Sequence, residues 1–258
     1  MFIKELTFEC YRDSDYSSIE RAINNYFDML RYNGQIIGRE FPIAMFDGIF
    51  TTRLVCPEET SLHESFNSPQ VTHAITKLND AGLLSPKIKT VAEDLNSLAC
   101  ADNLTPSWQV LYTTFLDTCS PLRCGETLNP LPLYRTPEAI SNGDRKAVLK
   151  WQEEWVNCDE LQMNGSAASV QVLKEICEVN SKLYYMGINL CKRIQYVTKV
   201  PTYYYLYRVA GTSLESEQQR KCPSCGGEWR LEKPLFDIFD FKCDQCQLVS
   251  NISWDFKK

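Results

Sequence analysis

Histidine is nearly absent from this sequence: the 258 residues include two, His63 and His73. Neither has a partner at the spacing of a metal site or a catalytic triad, so the side chain that most often acts as a general base is missing. The chain also lacks a glycine-rich phosphate loop, a dinucleotide-binding fingerprint and a Gly-x-Ser-x-Gly elbow. These absences argue against an enzyme, and we predict no catalytic residues. Solvated or capping roles are expected for both histidines.

Long apolar runs are missing as well. No stretch of about 18 apolar residues occurs, so no transmembrane helix is expected and no membrane partner is predicted. The first residues, Met-Phe-Ile-Lys-Glu-Leu, do not form a basic segment followed by an apolar one, which is the pattern of an export signal. We therefore expect a cytoplasmic protein whose twelve cysteines are reduced.

The third deficit is in positive charge. Lysine and arginine number 27 against 33 aspartates and glutamates, which gives a net charge of −6 and a pI of about 5.1. None of the segments 1–100, 101–210 and 211–258 carries an excess of basic residues. The molecule as a whole is therefore repelled by the polyanionic field of DNA or RNA. Any nucleic-acid contact must come from a local group of basic residues.

The sequence does contain a concentrated cysteine pattern near its C-terminal end. Two Cys-x-x-Cys turns are separated by 17 residues, and each presents two thiolates from one loop. Together they match the four ligands that a zinc ion takes in a tetrahedron. We predict one zinc ion, held by Cys222, Cys225, Cys243 and Cys246. Because four cysteines close the coordination shell, this zinc is expected to be structural, and iron with the same ligands is the alternative.

The remaining eight cysteines are mostly scattered along the chain. We expect them to act as small core side chains: Cys10, Cys56, Cys100, Cys119, Cys124, Cys158, Cys177 and Cys191.

Three parts of the chain resemble an uncharacterised family of bacterial proteins that is described as zinc-ribbon-containing, with a suggested role in nucleic-acid binding. They are Cys222-Pro-Ser-Cys-Gly-Gly-Glu-Trp with Phe239-Asp-Phe-Lys-Cys-Asp-Gln-Cys-Gln-Leu-Val-Ser-Asn-Ile-Ser-Trp, the stretch from Arg123-Cys-Gly to Pro-Leu-Pro-Leu-Tyr-Arg135, and Val200-Pro-Thr-Tyr-Tyr-Tyr-Leu-Tyr-Arg. The resemblance implies a cytoplasmic bacterial protein with one four-cysteine zinc site. Relatives often place a further cysteine where this chain has Glu126-Thr127. A second metal site at Cys119 and Cys124 is therefore expected to be degenerate, with a structural turn in its place.

Residues 1–95 follow the order strand, helix, strand, strand, helix, strand. A hairpin at Asp47-Gly48 joins strands predicted over 35–46 and 48–56, and Ser68-Pro69 begins the second helix. This order predicts an α+β protein with a ferredoxin-like N-terminal sandwich. The same helices could also cover a sheet of different strand order.

The sequence pattern of residues 96–210 predicts a mixed α/β middle region. Apolar spacing of three and four indicates a long helix pair over about 143–162 and 167–198, with Gly187 where a neighbour could approach closely. A strand is predicted over 202–209.

A segment rich in serine, glutamate and glutamine, residues 211–220, is predicted to be a linker. It would separate the middle region from a zinc ribbon at 221–258, which we expect to move or dock as its own unit.

Tyrosines in the strand at 202–209 offer rings that could stack on bases, and basic residues lie nearby in the sequence. The residues predicted to contact nucleic acid or a protein partner are Lys192, Arg193, Lys199, Tyr203, Tyr205, Arg208 and Arg230. Packing of the tyrosines inside the sheet is the alternative.

Two functions fit these patterns. The first is a nucleic-acid-binding regulatory protein with a zinc ribbon. The second is a protein–protein interaction module, for example a toxin-neutralising or assembly factor, in which the zinc is purely structural. An enzyme acting on the face of the N-terminal sheet is a third hypothesis, which no group of residues favours. The sequence leaves the partner open between nucleic acid and protein.

Overall fold

A computed structural model describes residues 1–138 and 143–256. They divide into two compact units. The first unit contains residues 1–102, 118–120 and 129–146, and the second contains 103–117, 121–128 and the residues from Ala147 onward. Both units combine helices with sheets, so the predicted α+β class is confirmed. The domain boundaries predicted at residues 95 and 210 remain predictions. Each compact unit contains residues from both sides of one of them.

The first unit has the predicted order of elements, in these ranges: β1 Phe2–Glu9, α1 Tyr16–Asn33, β2 Ala44–Phe46, β3 Ile49–Cys56, α2 Pro69–Asp80 and β4 Lys87–Glu93. The sheet order is β2-β3-β1-β4, and every neighbouring pair is antiparallel. Strands from the first half of this unit (β1 and β2) therefore alternate in the sheet with strands from the second half (β3 and β4). Strand β2 is shorter than the predicted 35–46, because Pro42 lacks a donor N–H and Gly38 turns the chain with a φ of 112°.

Local signals in the sequence set the ends of the first helix. The Asp15 carboxylate accepts a hydrogen bond from the Ser18 N–H at the start of α1, and Gly34 ends the helix in the left-handed conformation. One face of α1 is buried against Leu6 and Phe8 of β1. The Asp47-Gly48 hairpin is confirmed, because both residues have positive φ and Phe46 pairs with Ile49.

Helix α3 spans Asp144–Met163, close to the prediction, and belongs to the second unit from Ala147 onward. The predicted helix at 167–198 is wrong as one element: it consists of α4, Ser169–Cys177, and α5, Lys182–Thr198. The Ser181 hydroxyl accepts from the Tyr184 N–H and donates to the Glu175 carbonyl, so it caps a new helix and stabilises the break.

The second unit contains a six-stranded sheet with the order β6-β5-β7-β10-β9-β8. The strands are β5 Gln109–Leu111, β6 Leu122–Cys124, β7 Thr202–Leu206, β8 Arg230–Leu235, β9 Phe239–Cys243 and β10 Leu248–Ser250. Strand β10 pairs in parallel with β7 and antiparallel with β9. The C-terminal strands and the middle-region strands therefore form one continuous sheet.

Helix α5 lies close to this sheet because residue 187 is glycine. A Cβ atom added to Gly187 would lie 2.1 Å from the ring of Tyr204, which is fully buried on β7. The close approach predicted at Gly187 is thus confirmed.

The predicted linker at 211–220 is structured. It contains a short helix, α6, at Leu214–Gln218, and the Glu217 side chain on this helix is 3% exposed. The Glu217 carboxylate accepts hydrogen bonds from the Arg208 guanidinium, including two of 3.1 Å from Nε, and lies 3.6 Å from Nε of Arg220. Arg220 in turn lies against the rings of Trp229 and Phe241. This ion-pair group, Arg208, Glu217 and Arg220, holds the segment predicted as a linker against the sheet.

Replacing Glu217 by Gln should destabilise the second unit, because it removes the charge that offsets two partly buried guanidinium groups. We expect a loss of about 2–3 kcal/mol in the free energy of unfolding at neutral pH, less than the roughly 3–5 kcal/mol for breaking a fully buried pair, since the Arg208 side chain is 33% exposed. Chemical denaturation measures the difference. The matched control is Glu215→Gln, which changes an exposed carboxylate on the same helix.

The same ion pair predicts a pH dependence. Burial raises the pKa of Glu217, but the hydrogen bonds and charge of Arg208, together with Arg220, outweigh burial and lower it overall. Stability from the ionised carboxylate is therefore present above the unfolded-state pKa of about 4.3 and is lost as pH falls through the lower folded-state value. The difference in unfolding free energy between wild type and Glu217→Gln should narrow below about pH 4. A difference that stays constant into the acid range would contradict the ion-pair role.

Candidate metal centre

The four cysteines predicted to bind metal lie together. The Sγ atoms of Cys222, Cys225, Cys243 and Cys246 all lie within 4.8 Å of one another. Across the described ranges 1–138 and 143–256, this is the one group of three or more His, Cys, Asp or Glu side chains with ligand atoms close enough to hold an ion. Cys222 and Cys243 are buried, Cys246 is half-buried and Cys225 is exposed. The centre therefore lies at the protein surface with one edge open to solvent.

Each pair of cysteines is presented by a tight turn. In the first turn the Cys222 carbonyl accepts from the Gly226 N–H at 2.8 Å, and the Cys222 N–H donates to the Gly227 carbonyl at 2.9 Å. The residue after the second cysteine has a left-handed conformation in both turns, with φ of 73° at Gly226 and 51° at Gln247. This shared backbone shape aims two sulfurs of each turn at the same point.

Backbone amides and burial act on the thiols in opposite directions. A hydrogen bond from the Gly227 N–H, helped by the neighbouring sulfurs, lowers the pKa of Cys225 to about 7. Burial raises the pKa of Cys243 to about 12. A hydrogen bond from an N–H to sulfur favours the thiolate, which is the form that binds a metal.

The geometry fits a metal ion with tetrahedral sulfur ligands. The distance between Cys225 Sγ and Cys243 Sγ is 3.7 Å. Sulfurs at about 2.3 Å from a tetrahedral zinc ion are about 3.8 Å apart. The four cysteines can therefore hold a metal ion. An all-sulfur ligand set suits zinc and iron better than magnesium or calcium, which prefer oxygen.

The centre is hydrogen-bonded to the rest of the second unit through its second turn, and its first turn lies beside helix α5. The side chains of Gln247 and Gln195 on α5 are hydrogen-bonded, and the Gln247 carbonyl accepts from the Tyr204 N–H at 2.9 Å. At the other turn, the Ser224 side chain lies near Tyr184 on α5 and lowers the pKa of its phenol, against the larger effect of burial, which raises it. Helix α5 thus contacts both cysteine turns.

A polar and aromatic group lies beside Cys243. The Tyr203 hydroxyl donates to the Asp244 carboxylate at 2.7 Å, and the Lys242 ammonium pairs with the same carboxylate. Lys242 Nζ is 4.5 Å from the centre of the Tyr203 ring and 5.3 Å from that of Trp108. Trp108 in turn covers Gly125, where an added Cβ would lie 2.2 Å from the indole. The Cys-Gly pair at 124–125 is therefore explained by packing.

Three of the predicted contact residues are occupied within the fold. Tyr203 and Tyr205 are buried, and the Tyr205 hydroxyl donates to the Asn251 side chain at 3.0 Å. Arg208 belongs to the ion-pair group with Glu217. The prediction that these rings stack on bases is therefore corrected, since β7 is central in its sheet and buries both of its faces. The alternative weighed from the sequence, packing inside the sheet, is where the tyrosines lie.

The other predicted contacts lie nearer to solvent. Lys192, Lys199 and Arg230 are exposed and Arg193 is half-buried. Arg230 lies on β8, at the edge of the sheet, whereas the other three lie on α5 or at its C-terminal cap. The structure thus brings together Lys192, Arg193 and Lys199 and leaves Arg230 on another element.

Two exposed tyrosines on α5 were missed by the sequence reasoning. Tyr185 is 54% exposed and Tyr196 is 71% exposed. Their spacing from Lys192 and Lys199 by three, four or seven residues is the signal that could have identified them, because such residues share one face of a helix.

The histidines and the second cysteine pair show no further site. His63 caps a short 3-10 helix by accepting from the Ser65 N–H, and His73 is exposed, as expected for capping and solvated roles. Cys119 and Cys124 are buried, and neither belongs to a metal-ligand group among the described residues. Within those residues, no helix is long and apolar enough to cross a membrane.

The fold and the centre together define a mixed α+β protein with a candidate four-cysteine metal centre. Three domain families match successive parts of the chain: Domain of unknown function (DUF8589) at residues 1–92, Domain of unknown function (DUF2310) at 103–207 and Domain of unknown function (DUF8594) at 211–256.

The chain belongs to the same family as a Haemophilus influenzae protein called "Uncharacterized protein". The two are 45% identical over 250 residues, which cover 95% of each chain. A second Haemophilus influenzae protein with the same description is 49% identical over 175 residues, covering 68% of this chain and 86% of its own. The resemblance to an uncharacterised bacterial family is thus confirmed, while these descriptions name neither a zinc ribbon nor nucleic acid.

Two solved structures show partial likeness. One is described as a putative antibiotic biosynthesis monooxygenase from Deinococcus radiodurans, with 17% identity, 38% of this chain and 100% of that chain covered, and a TM-score of 0.27. The other is described as an antibiotic biosynthesis monooxygenase, with 9% identity, 36% and 98% coverage, and a TM-score of 0.26. Such TM-scores support no inference about fold or function.

Loss of the metal centre should weaken the sheet beyond the C-terminal strands. Replacing Cys243 by Ser removes one candidate metal ligand, and because the Gln247 carbonyl accepts from the Tyr204 N–H, we expect faster hydrogen exchange in β7 as well as in β9 and β10. Hydrogen-exchange mass spectrometry measures this. Cys10→Ser, an exposed cysteine of the first unit, is the control. Loss of protection confined to residues after 221 would show that the C-terminal segment opens independently.

Proposed function

We propose that the four cysteines hold one zinc ion and that this zinc is structural. The supporting observations are the all-sulfur donor set, the two matching turns and the sulfur spacing of 3.7 Å. Four protein ligands leave no position for a water or a substrate. The residues from 221 onward then act as a zinc ribbon whose role is to order one edge of the second unit.

We further propose that the protein is a cytoplasmic nucleic-acid-binding protein rather than an enzyme. The observation that carries this proposal is the charge of α5 and its cap. From Lys182 to Lys199 every charged side chain is basic, in a chain whose net charge is −6. Two lysines of the cysteine segment are offset by carboxylates, since Lys221 pairs with Glu228 and Lys242 with Asp244. Helix α5 is thus the local basic group that an acidic protein needs to meet phosphates.

The second candidate is a protein-interaction module, and a feature of the first unit favours it. The β2–β3 hairpin exposes three apolar side chains around its turn: Met45, Phe46 and Ile49. Phe46 is 84% exposed, which is unusual for so large an apolar residue, and exposed apolar groups often mark interfaces. The interleaved order of this unit supports a ferredoxin-like sandwich, a scaffold that does not by itself define an activity.

Elemental analysis tests the metal proposal. We expect one zinc per chain in protein purified without chelator, and its loss in Cys225→Ser because a ligand is removed. Cys10→Ser should keep the full zinc content. Protein that holds iron, or no metal at all, would contradict the proposal.

Filter binding tests the nucleic-acid proposal. We expect retention of DNA or RNA at about 50 mM salt and much weaker retention at about 200 mM, because phosphate contacts release counterions. The double variant Lys192→Ala with Lys199→Ala should lower the slope of log affinity against log salt by about 1.4 on a single strand. Lys89→Ala removes an exposed lysine of the first unit and serves as the control.

The interaction module predicts the opposite result. If no polymer is retained even at the lower salt, the nucleic-acid proposal fails, since the electrostatic contribution is largest there. A protein partner that is released by Phe46→Ala would then support the second candidate.

A further inference from the structure

Six exposed side chains form one continuous stripe along α5 and its cap, which we call the α5 stripe. They recur at intervals of three or four residues and therefore share one face of the helix: Lys182, Tyr185, Asn189, Lys192, Tyr196 and Lys199. The stripe is about 25 Å long, from the helical rise of about 1.5 Å per residue. Two aromatic rings are thus interleaved with three positive charges.

The opposite face of α5 holds the stripe rigidly in place. Leu183, Tyr184, Gly187, Leu190, Cys191 and Ile194 are buried. Gly187 brings the helix against Tyr204, and the Gln195 side chain is hydrogen-bonded to Gln247 of the second cysteine turn. The exposed rings are therefore carried on a fixed support and not on a loop.

The exposure of the two rings is not required by the fold. Tyr185 and Tyr196 are 54% and 71% exposed on a helix that already has a complete buried face. Lys199 Nζ lies 4.5 Å from the centre of the Tyr196 ring, so a positive charge and an accessible ring meet at one end of the stripe. Rings that stack on bases beside cations that meet phosphates are the two elements of single-strand binding.

Resting on the nucleic-acid function proposed above, we propose that the α5 stripe binds single-stranded nucleic acid. Tyr185 and Tyr196 stack on unpaired bases, and Lys182, Lys192 and Lys199 contact the phosphates between and beside them. The rings are about 16 Å apart along the helix, so they stack on separate bases of the same strand. In a duplex the base faces are stacked on one another, so the two rings find no surface there. The absence of Asp and Glu between 182 and 199 makes the stripe complementary to a polyanion.

The test compares a single strand with a duplex. The full-length protein with its metal is titrated by fluorescence anisotropy with labelled oligothymidylate of about 16 nucleotides, and with a duplex of the same length, at about 50 mM salt. We expect tighter binding of the single strand. Tyr185→Ala and Tyr196→Ala should each weaken it by about 5- to 150-fold, the range for loss of a base-stacking ring, with little change for the duplex.

Conservative and remote variants separate stacking from folding. Tyr185→Phe and Tyr196→Phe keep the ring and should bind like wild type, whereas Tyr16→Ala removes a ring of similar exposure from the first unit and should have no effect. Circular dichroism and metal content, unchanged in every variant, establish that the alanine changes leave the fold intact.

Each outcome has a distinct meaning. One outcome is that both polymers bind, that the lysine variants weaken this binding, and that the tyrosine variants leave it unchanged. The protein then binds nucleic acid by charge alone, and the single-strand inference is wrong. Equal affinity for strand and duplex overturns it in the same way. If neither polymer binds at low salt, the proposed function itself fails. An acidic protein partner that is lost in Tyr196→Ala would then reassign the stripe to protein recognition.

Discussion

The pairing of β10 with two neighbours is the constraint on which the second unit depends. This three-residue strand lies between β7, to which it is parallel, and β9, to which it is antiparallel. A strand so short makes few hydrogen bonds of its own, and its position is set by the cysteine turn directly before it. Because the Gln247 carbonyl accepts from the Tyr204 N–H, the second cysteine turn also takes part in the pairing between β10 and β7. A metal ion at the four sulfurs would therefore stabilise a sheet of six strands and not a separate module.

Charged side chains are buried next to strand β10. Glu217 is almost fully buried and lies between Arg208 and Arg220, and Arg220 also donates to the Ser250 hydroxyl and the Asn251 carbonyl beside β10. Burial lowers the pKa of Arg220 to about 10, partly opposed by the charge of Glu217. A buried guanidinium without a carboxylate would be costly, so the segment after β7 is held in one position. The polar residues of 211–220, which predicted a linker, thus include the carboxylate at the centre of a buried ion-pair group.

Helix α5 connects the metal centre to the candidate binding surface. Its buried face packs on the sheet, its Gln195 side chain is hydrogen-bonded to the second cysteine turn, and its exposed stripe combines tyrosine with lysine. An acidic protein can present a positive surface only where acidic residues are locally excluded, and the range 182–199 meets that condition. A metal ion at the four sulfurs would fix the turns beside which the helix lies, and it would therefore also hold the candidate binding surface in position.

The sequence by itself determined the features that depend on nearby residues. The cysteine spacing identified the candidate ligands, Asp47-Gly48 identified the hairpin, and the strand and helix periods identified the order of the first unit, because each depends on local backbone geometry. Only the tertiary structure decided which faces are buried. Tyr203 and Tyr205 become core residues because β7 is central in the sheet, the predicted linker becomes part of the fold through Glu217, and Ser181 divides a helix whose apolar spacing continues across the break. These outcomes depend on contacts between residues far apart in the chain. A pattern among neighbouring residues carries no information about such contacts.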